Sequence, residues 1–248
     1  MNGFNISRRD FLRNSSFAIA GTVGGILASG GCGTPPRSKK RKAVLWVGGF
    51  AHDFDAFAEI MTEFLPKYLN IDIEVVTDGS FLDSSNFDVI IMNHCFESAD
   101  GVLTDAQKTM LLEKVRNGAG VVAVHASYYS FPEWQDIRKL YGAVFIKHDD
   151  VDIMLDVRVI DKDHPVTSTL PDTFETHSEL YQSTPLTKDC RLLAVAKQKG
   201  TDIEYPSVWT KNYGSGRVAV ILPAHWPDSY KKKPFQKLIA NSVSWVLP

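Results

Sequence analysis

The chain has 248 residues, 44% of them hydrophobic and 23% charged, with a mean hydropathy of −0.12, which suits a folded α/β-sized core and excludes a disordered, collagen-like or multi-span membrane protein. The net charge of −2 is unevenly spread: residues 1–42 hold eight of the 27 basic and one of the 29 acidic residues, leaving 19 against 28, or −9, for the rest. A body this acidic does not favour phosphate contacts, so no nucleic-acid partner is expected, and three cysteines are too few for a disulfide scaffold.

Residues 1–32 carry the pair Arg8-Arg9, then Phe11-Leu12-Arg13 and a weakly apolar, glycine-rich run from Phe17 to Ala28. This order of regions resembles a twin-arginine export signal. Its end holds Gly31-Cys32, a candidate lipidation site that would anchor the chain to a membrane. Residues 33–42, with Pro35-Pro36 and a basic run, suggest a solvated linker. The expected location is outside the cytoplasm, periplasmic or as a membrane-anchored lipoprotein, with the folded domain spanning 43–248.

From Ala43 onward, apolar runs of strand length alternate with segments of helical period. Ala43 to Gly48 predicts a strand, and Phe54, Phe57, Met61, Phe64 and Tyr68 share one helix face. Ile71 to Val76 and Phe87 to Met92 predict further strands. Thr104 and Gln107 form a capping box that opens a helix with Leu111 and Val115 inward and Gly118 at its stop. Val121 to Val124 is the next strand, and Ser130 to Glu133 has the spacing of a second capping box before Trp134, Ile137, Tyr141 and Gly142. Such alternation predicts a mostly parallel sheet with helices on both faces. The second half predicts strands at 152–160, 192–196, 207–211 and 217–222, with a hairpin at Asn212 to Gly216, and a closing helix bears Phe235, Leu238, Ile239, Val243 and Val246. These are added antiparallel strands and a final cover.

Four of seven histidines fall at predicted strand ends: His52, His94, His125 and His225. In an open parallel sheet those ends share one edge, where ligands bind. Imidazole titrates near neutrality, so such a cluster suits proton transfer. It could also hold a divalent metal, although no HxxxH or HxH element marks a ligand set and none is assigned, and no cofactor is required. His164, in Asp163-His164-Pro165, predicts a local turn contact rather than chemistry, and His177 is likewise set aside.

The ordered set Val124-His125, Trp134, Leu140-Tyr141-Gly142, Phe145, His148, Asp163-His164-Pro165, Glu179, Tyr181, Trp209, Tyr213 to Arg217 and His225 resembles the trehalose-utilisation (ThuA-like) family. The resemblance implies a flavodoxin-like sandwich of the class I glutamine amidotransferase type and a role in carbohydrate metabolism, with disaccharides or 3-keto sugars as small-molecule partners. Where a glutaminase of that fold keeps its nucleophilic cysteine, this chain has His125, so thiol-based glutamine hydrolysis is not expected and Cys95 reads as a buried hydrophobe. The candidate proton-transfer set is His125, His148, Glu179 and His225. Tyr181 would donate to a sugar oxygen, His52 and His94 would line the cleft, and Trp209 would stack on a pyranose face. Alternatives are a sugar-binding lipoprotein without turnover and a metal-assisted hydrolase.

Overall fold

The structure is a computed structural model that describes residues 39–84, 86–148 and 152–248. The arginine pair, Cys32 and most of the basic linker lie outside the described residues. The elements are β1 (Arg41–Gly49), α1 (Phe54–Tyr68), β2 (Ile71–Val76), α2 (Phe81–Ser84), β3 (Val89–Cys95), α3 (Asp105–Arg116), β4 (Gly120–Val124), α4 (Gln135–Tyr141), β5 (Phe145–Lys147), β6 (Ile153–Val159), β7 (Thr173–Ser178), β8 (Gln182–Ser183), β9 (Arg191–Gln198), β10 (Tyr205–Tyr213), β11 (Gly216–Ile221), α5 (Pro227–Lys231) and α6 (Lys233–Val246). The first strand starts two residues earlier than the apolar run, because Arg41 and Lys42 already pair with Ile71 and Asp72 of β2. Among the described residues no helix is long and apolar enough to cross a membrane.

One sheet of nine strands runs in the order β2-β1-β3-β4-β11-β10-β9-β6-β7. The pairs β1–β2, β1–β3, β3–β4 and β4–β11 are parallel, and β10, β9, β6 and β7 extend the sheet by antiparallel pairing. Side chains alternate between two cores because successive residues of a strand face opposite ways. Leu45, Val47, Ile91, Val122 and Val124 meet Phe57 and Met61 of α1 and Phe235, Ile239 and Val243 of α6. Val44, Trp46, Ile90, Met92, Val121 and Ala123 meet Leu111 and Val115 of α3 and Ile137 and Tyr141 of α4. Each fully buried aliphatic or aromatic side chain of these layers contributes about 1.5–3 kcal/mol, so the central strands hold the sheet edge rigidly.

The Thr104–Gln107 capping box forms as the spacing predicts, with both reciprocal bonds made. The second box does not. Helix α4 begins only at Gln135, because Ser130 and Glu133 are engaged elsewhere: Ser130 Oγ bonds the His94 carbonyl and accepts from the Phe96 amide, and Glu133 accepts from Ala99 N at 2.6 Å and from Ser98 Oγ. These contacts pin the loop after β3 to the loop after β4. Tyr68, expected inward on α1, is 53% exposed at the helix end.

Candidate active site

Three strand ends and one strand exit deliver the site. After β1 the chain crosses closely over β3: Gly49 has φ +99°, and a Cβ there would stand 1.9 Å from the Cys95 carbonyl oxygen. Only glycine allows this approach. Phe50 N then donates to Cys95 O at 3.1 Å, and the His52 imidazole swings inward, with its Nδ1 3.2 Å from Phe50 O. At the end of β4, His125 occupies a left-handed conformation, φ +44°, between the strand and a short 3-10 turn over His125–Tyr128. A non-glycine residue held there stores backbone strain of about 1–3 kcal/mol, of the kind found where a side chain must be presented sharply. Beyond β11, Ala224 has φ +94°, and Ser178 at the end of β7 accepts from the amides of both Ala224 and His225, at 3.0 and 3.2 Å. Glu179 follows directly.

These supports bring the groups together. His125 Nε2 lies 3.1 Å from His225 Nδ1 and 3.3 Å from Glu179 Oε2, and His225 Nδ1 lies 3.5 Å from the same oxygen. The His52 ring centre is 5.1 Å from that of His125 and 4.4 Å from that of His225. One ligating atom from each of His52, His125, Glu179 and His225 falls within 4.8 Å of every other. His148 Nε2 approaches the other carboxylate oxygen, Glu179 Oε1, at 3.7 Å. The Tyr181 ring stacks against His125 at 4.8 Å and His148 at 5.6 Å, and its hydroxyl hydrogen-bonds Glu179. The four catalytic candidates, together with His52 and Tyr181, therefore meet in one cluster at the carboxyl edge of the parallel strands.

Protonation follows from the partners. His125 Nδ1 stands 2.7 Å from the Leu222 carbonyl, which can only accept, so Nδ1 carries the hydrogen and Nε2 presents a lone pair to the site. His52 is arranged the same way by Phe50 O. Burial, followed by the neighbouring His125 and His225, lowers the His52 pKa to about 3 and keeps that ring neutral. Burial alone would raise the Glu179 carboxyl, but the adjacent His125 and His225 imidazoles outweigh it and hold the group well below the usual carboxylate range. Tyr181 is pushed well above its ordinary value by burial and then by the Glu179 charge, so it stays a donor. The Cys95 thiol is pushed up to about 12 by burial first, with Glu179 and Glu97 adding to it, which leaves it protonated and inert beside the site.

Two expected residues belong elsewhere. His94 is fully buried among Trp46, Phe96 and Phe131, with Nδ1 2.9 Å from Ser130 Oγ; it faces the opposite core and does not line the cleft. Trp209 is also fully buried, its Nε1–H donating to Tyr141 O at 2.8 Å, so no sugar can stack on it. Arg217 donates to Leu247 O and lies over the Trp245 ring, so it takes no part in the cluster. His164 behaves as the turn motif predicts, accepting from Val166 N. One aromatic went unnoticed in the sequence. Trp226 is 41% exposed, its ring 4.5 Å from that of His225, beside a cleft of about 370 Å³ lined by Asp152, His177, Trp226, Asp228, Ser229 and Lys232. Its signal was simply adjacency to a strand-end histidine in a loop.

A mostly parallel α/β sheet with an imidazole–carboxylate cluster at the strand-to-helix elbow defines a class I glutamine amidotransferase-like fold whose elbow holds histidine in place of a thiol. The profile of the trehalose-utilisation family, ThuA, matches residues 42–246, and the chain belongs to that family. Among solved structures it is similar to a ThuA-like protein from Bacteroides uniformis, at 24% identity over 88% of this chain and 95% of that one, with a TM-score of 0.70. It is also similar to one from Parabacteroides merdae, at 20% identity over 84% and 90%, with a TM-score of 0.72. A β-galactosidase from Rahnella shares the fold over 86% of this chain but 32% of its own, at 12% identity and a TM-score of 0.59. No curated protein matches the sequence.

Proposed function

We propose that this chain is an exported carbohydrate-processing enzyme acting on disaccharides or their 3-keto derivatives by proton transfer between imidazole and carboxylate. The observation that carries this reading is the convergence of His125, His148, Glu179 and His225 in one cluster, from strand ends up to 100 residues apart in the case of the His125–His225 pair. The family's link to trehalose utilisation supplies the substrate class.

A hydrogen beside a ketone can be removed by a neutral base if the developing enolate oxygen receives a hydrogen bond. The base comes from the set His125, His148, His225 and Glu179, and His125 is held in place by its Nδ1–H bond to Leu222 O. Tyr181 and His148, stacked beside it, supply donors to sugar oxygens, and ionised Glu179 stabilises whichever ring takes up the proton. Trp226 replaces Trp209 as the aromatic platform, because it alone of the two presents a face to solvent. Export would be directed by Arg8-Arg9, and Cys32 would carry the lipid tether.

The test is turnover of a panel of disaccharides and 3-keto-disaccharides by the wild type, His125→Ala and Glu179→Gln. Loss of a general base typically costs 10²–10⁴-fold, so the wild type is expected to convert at least one substrate and His125→Ala to lose at least about 100-fold while still binding it. If sugars bind to all three proteins and none forms product, the chain is a sugar-binding protein and the enzymatic reading fails.

A further inference from the structure

We infer that His52, His125, His225 and Glu179 form a binding site for one divalent first-row transition ion. The spacing of the donors is the first reason. An ion about 2.05 Å from each tetrahedral N or O ligand sets its ligands about 3.3 Å apart. The three pairs among His125 Nε2, His225 Nδ1 and Glu179 Oε2 stand 3.1, 3.3 and 3.5 Å apart, which is one face of that tetrahedron. His52 completes the set, with all four donor atoms within 4.8 Å of one another.

The second reason is the proton inventory. His125 and His52 each spend their Nδ1 hydrogen on a backbone carbonyl, so each aims a bare Nε2 lone pair inward. His52 Nε2 and Glu179 Oε2 are buried and have no hydrogen-bond partner. A hydrogen on His225 Nδ1 can satisfy only one of the acceptors crowded around it. Buried lone pairs left facing one another are costly, whereas a single cation satisfies all of them at once. The carbonyls of Leu222 and Phe50 then act as the outer contacts that orient ligating imidazoles. Three nitrogen donors and one carboxylate favour a transition ion over calcium or magnesium, which prefer all-oxygen sites. Positions left over on the ion would take water or the vicinal oxygens of a sugar. Only that last role rests on the function proposed above; occupancy does not.

The experiment is metal analysis of the full chain purified without chelator, followed by calorimetric titration of chelator-stripped protein with Zn²⁺, Mn²⁺ and Co²⁺. About one ion per chain is expected. His52→Ala and His225→Ala should each weaken binding at least about 100-fold, while His94→Gln, outside the cluster, should leave it unchanged. X-ray absorption of the wild type loaded with Co²⁺ should show imidazole scattering, which keeps the idea testable even if a histidine variant does not fold. No ion bound more tightly than about 10 µM, an affinity indifferent to both alanine variants when they fold, or a cobalt shell without imidazole each overturns it. Sugar turnover without any ion would refute this site alone, and an ion without turnover would refute the enzymatic reading alone.

Discussion

Arg138 is the residue whose removal should reveal how the site is supported. It lies on α4, 5% exposed, and donates through Nη1 to Tyr128 O at 2.6 Å and through Nη2 to Tyr129 O and Ser130 O, each at 3.0 Å. These three carbonyls close the turn that begins at His125, so the guanidinium holds the strained elbow from below. Hydrogen bonds from a charged donor are worth about 1.5–3 kcal/mol each, yet they share one side chain and its burial is itself unfavourable, as the lowered Arg138 pKa reflects. Replacing it by methionine keeps the volume and strands three carbonyls, for which about 3–5 kcal/mol is expected, the usual cost of breaking a buried charged network. In a domain of this size each kcal/mol shifts the midpoint by about 2–4 °C, so Arg138→Met should melt roughly 6–20 °C below the wild type. Arg138→Lys, which can reach fewer carbonyls at once, should fall between. Thermal and urea denaturation by circular dichroism would measure both. A methionine variant melting within 2 °C of the wild type would show that the carbonyls find other donors and that the clamp is not structural.

Gly49→Ala should disturb the β1–β3 crossing, since its Cβ meets backbone at 1.9 Å with φ +99°; expected losses are more than about 2 kcal/mol in stability, with the His52 imidazole displaced as seen in a crystal structure of the variant. His94 gives a pH signature: burial lowers its pKa to about 3, so the unfolded chain takes up a proton below the ordinary imidazole value of about 6.5 and the folded chain does not. Stability present above pH 6.5 is therefore lost as pH falls toward 3, by up to about 1.4 kcal/mol per pH unit for this group. Urea midpoints of the wild type and His94→Gln across that window should show a shallower slope for the variant, and parallel curves would count against it. Trp209→Ala should cost about 3–5 kcal/mol in melting experiments because the indole is fully buried. Trp226→Ala should change stability by less than about 1 kcal/mol while weakening sugar binding, and calorimetry showing unchanged affinity would remove Trp226 from the cleft.

Much of the fold could be read from period and punctuation: the alternation of strand and helix, the Thr104 box, the Asn212 hairpin and the closing amphipathic helix all correspond to elements of the structure. The candidate site was legible to the extent that topology carries it, because parallel strand ends must share an edge. That rule says which edge a residue reaches, and says nothing of which face of the sheet it takes. His94 shows the difference: it has the parity of Ile90 and Met92 and so turns into their core, while its neighbour Asn93 takes the other face, with Nδ2 3.4 Å from Tyr230 OH. Trp209 failed for a related reason, since a mid-strand aromatic in a sheet covered on both sides is enclosed. Ser130 and Glu133 had the spacing of a helix cap, but loops that approach only in three dimensions outbid the local partner. Ser178 accepts from amides 46 and 47 residues away, and nothing in the local pattern could have named those partners.

The donors at positions 52, 125, 179 and 225 come from four loops that together span most of the folded body, so no fragment of the polypeptide can assemble the cluster by itself. Capture of any ligand there would act as a late fastener, tying the first crossover to the last, and would draw its binding strength from a chain already complete. Linkage then requires the reverse as well: occupancy would protect the whole molecule against unfolding, by an amount that grows with the logarithm of ligand concentration. The residues proposed to do chemistry would thereby also serve as a lock on the architecture.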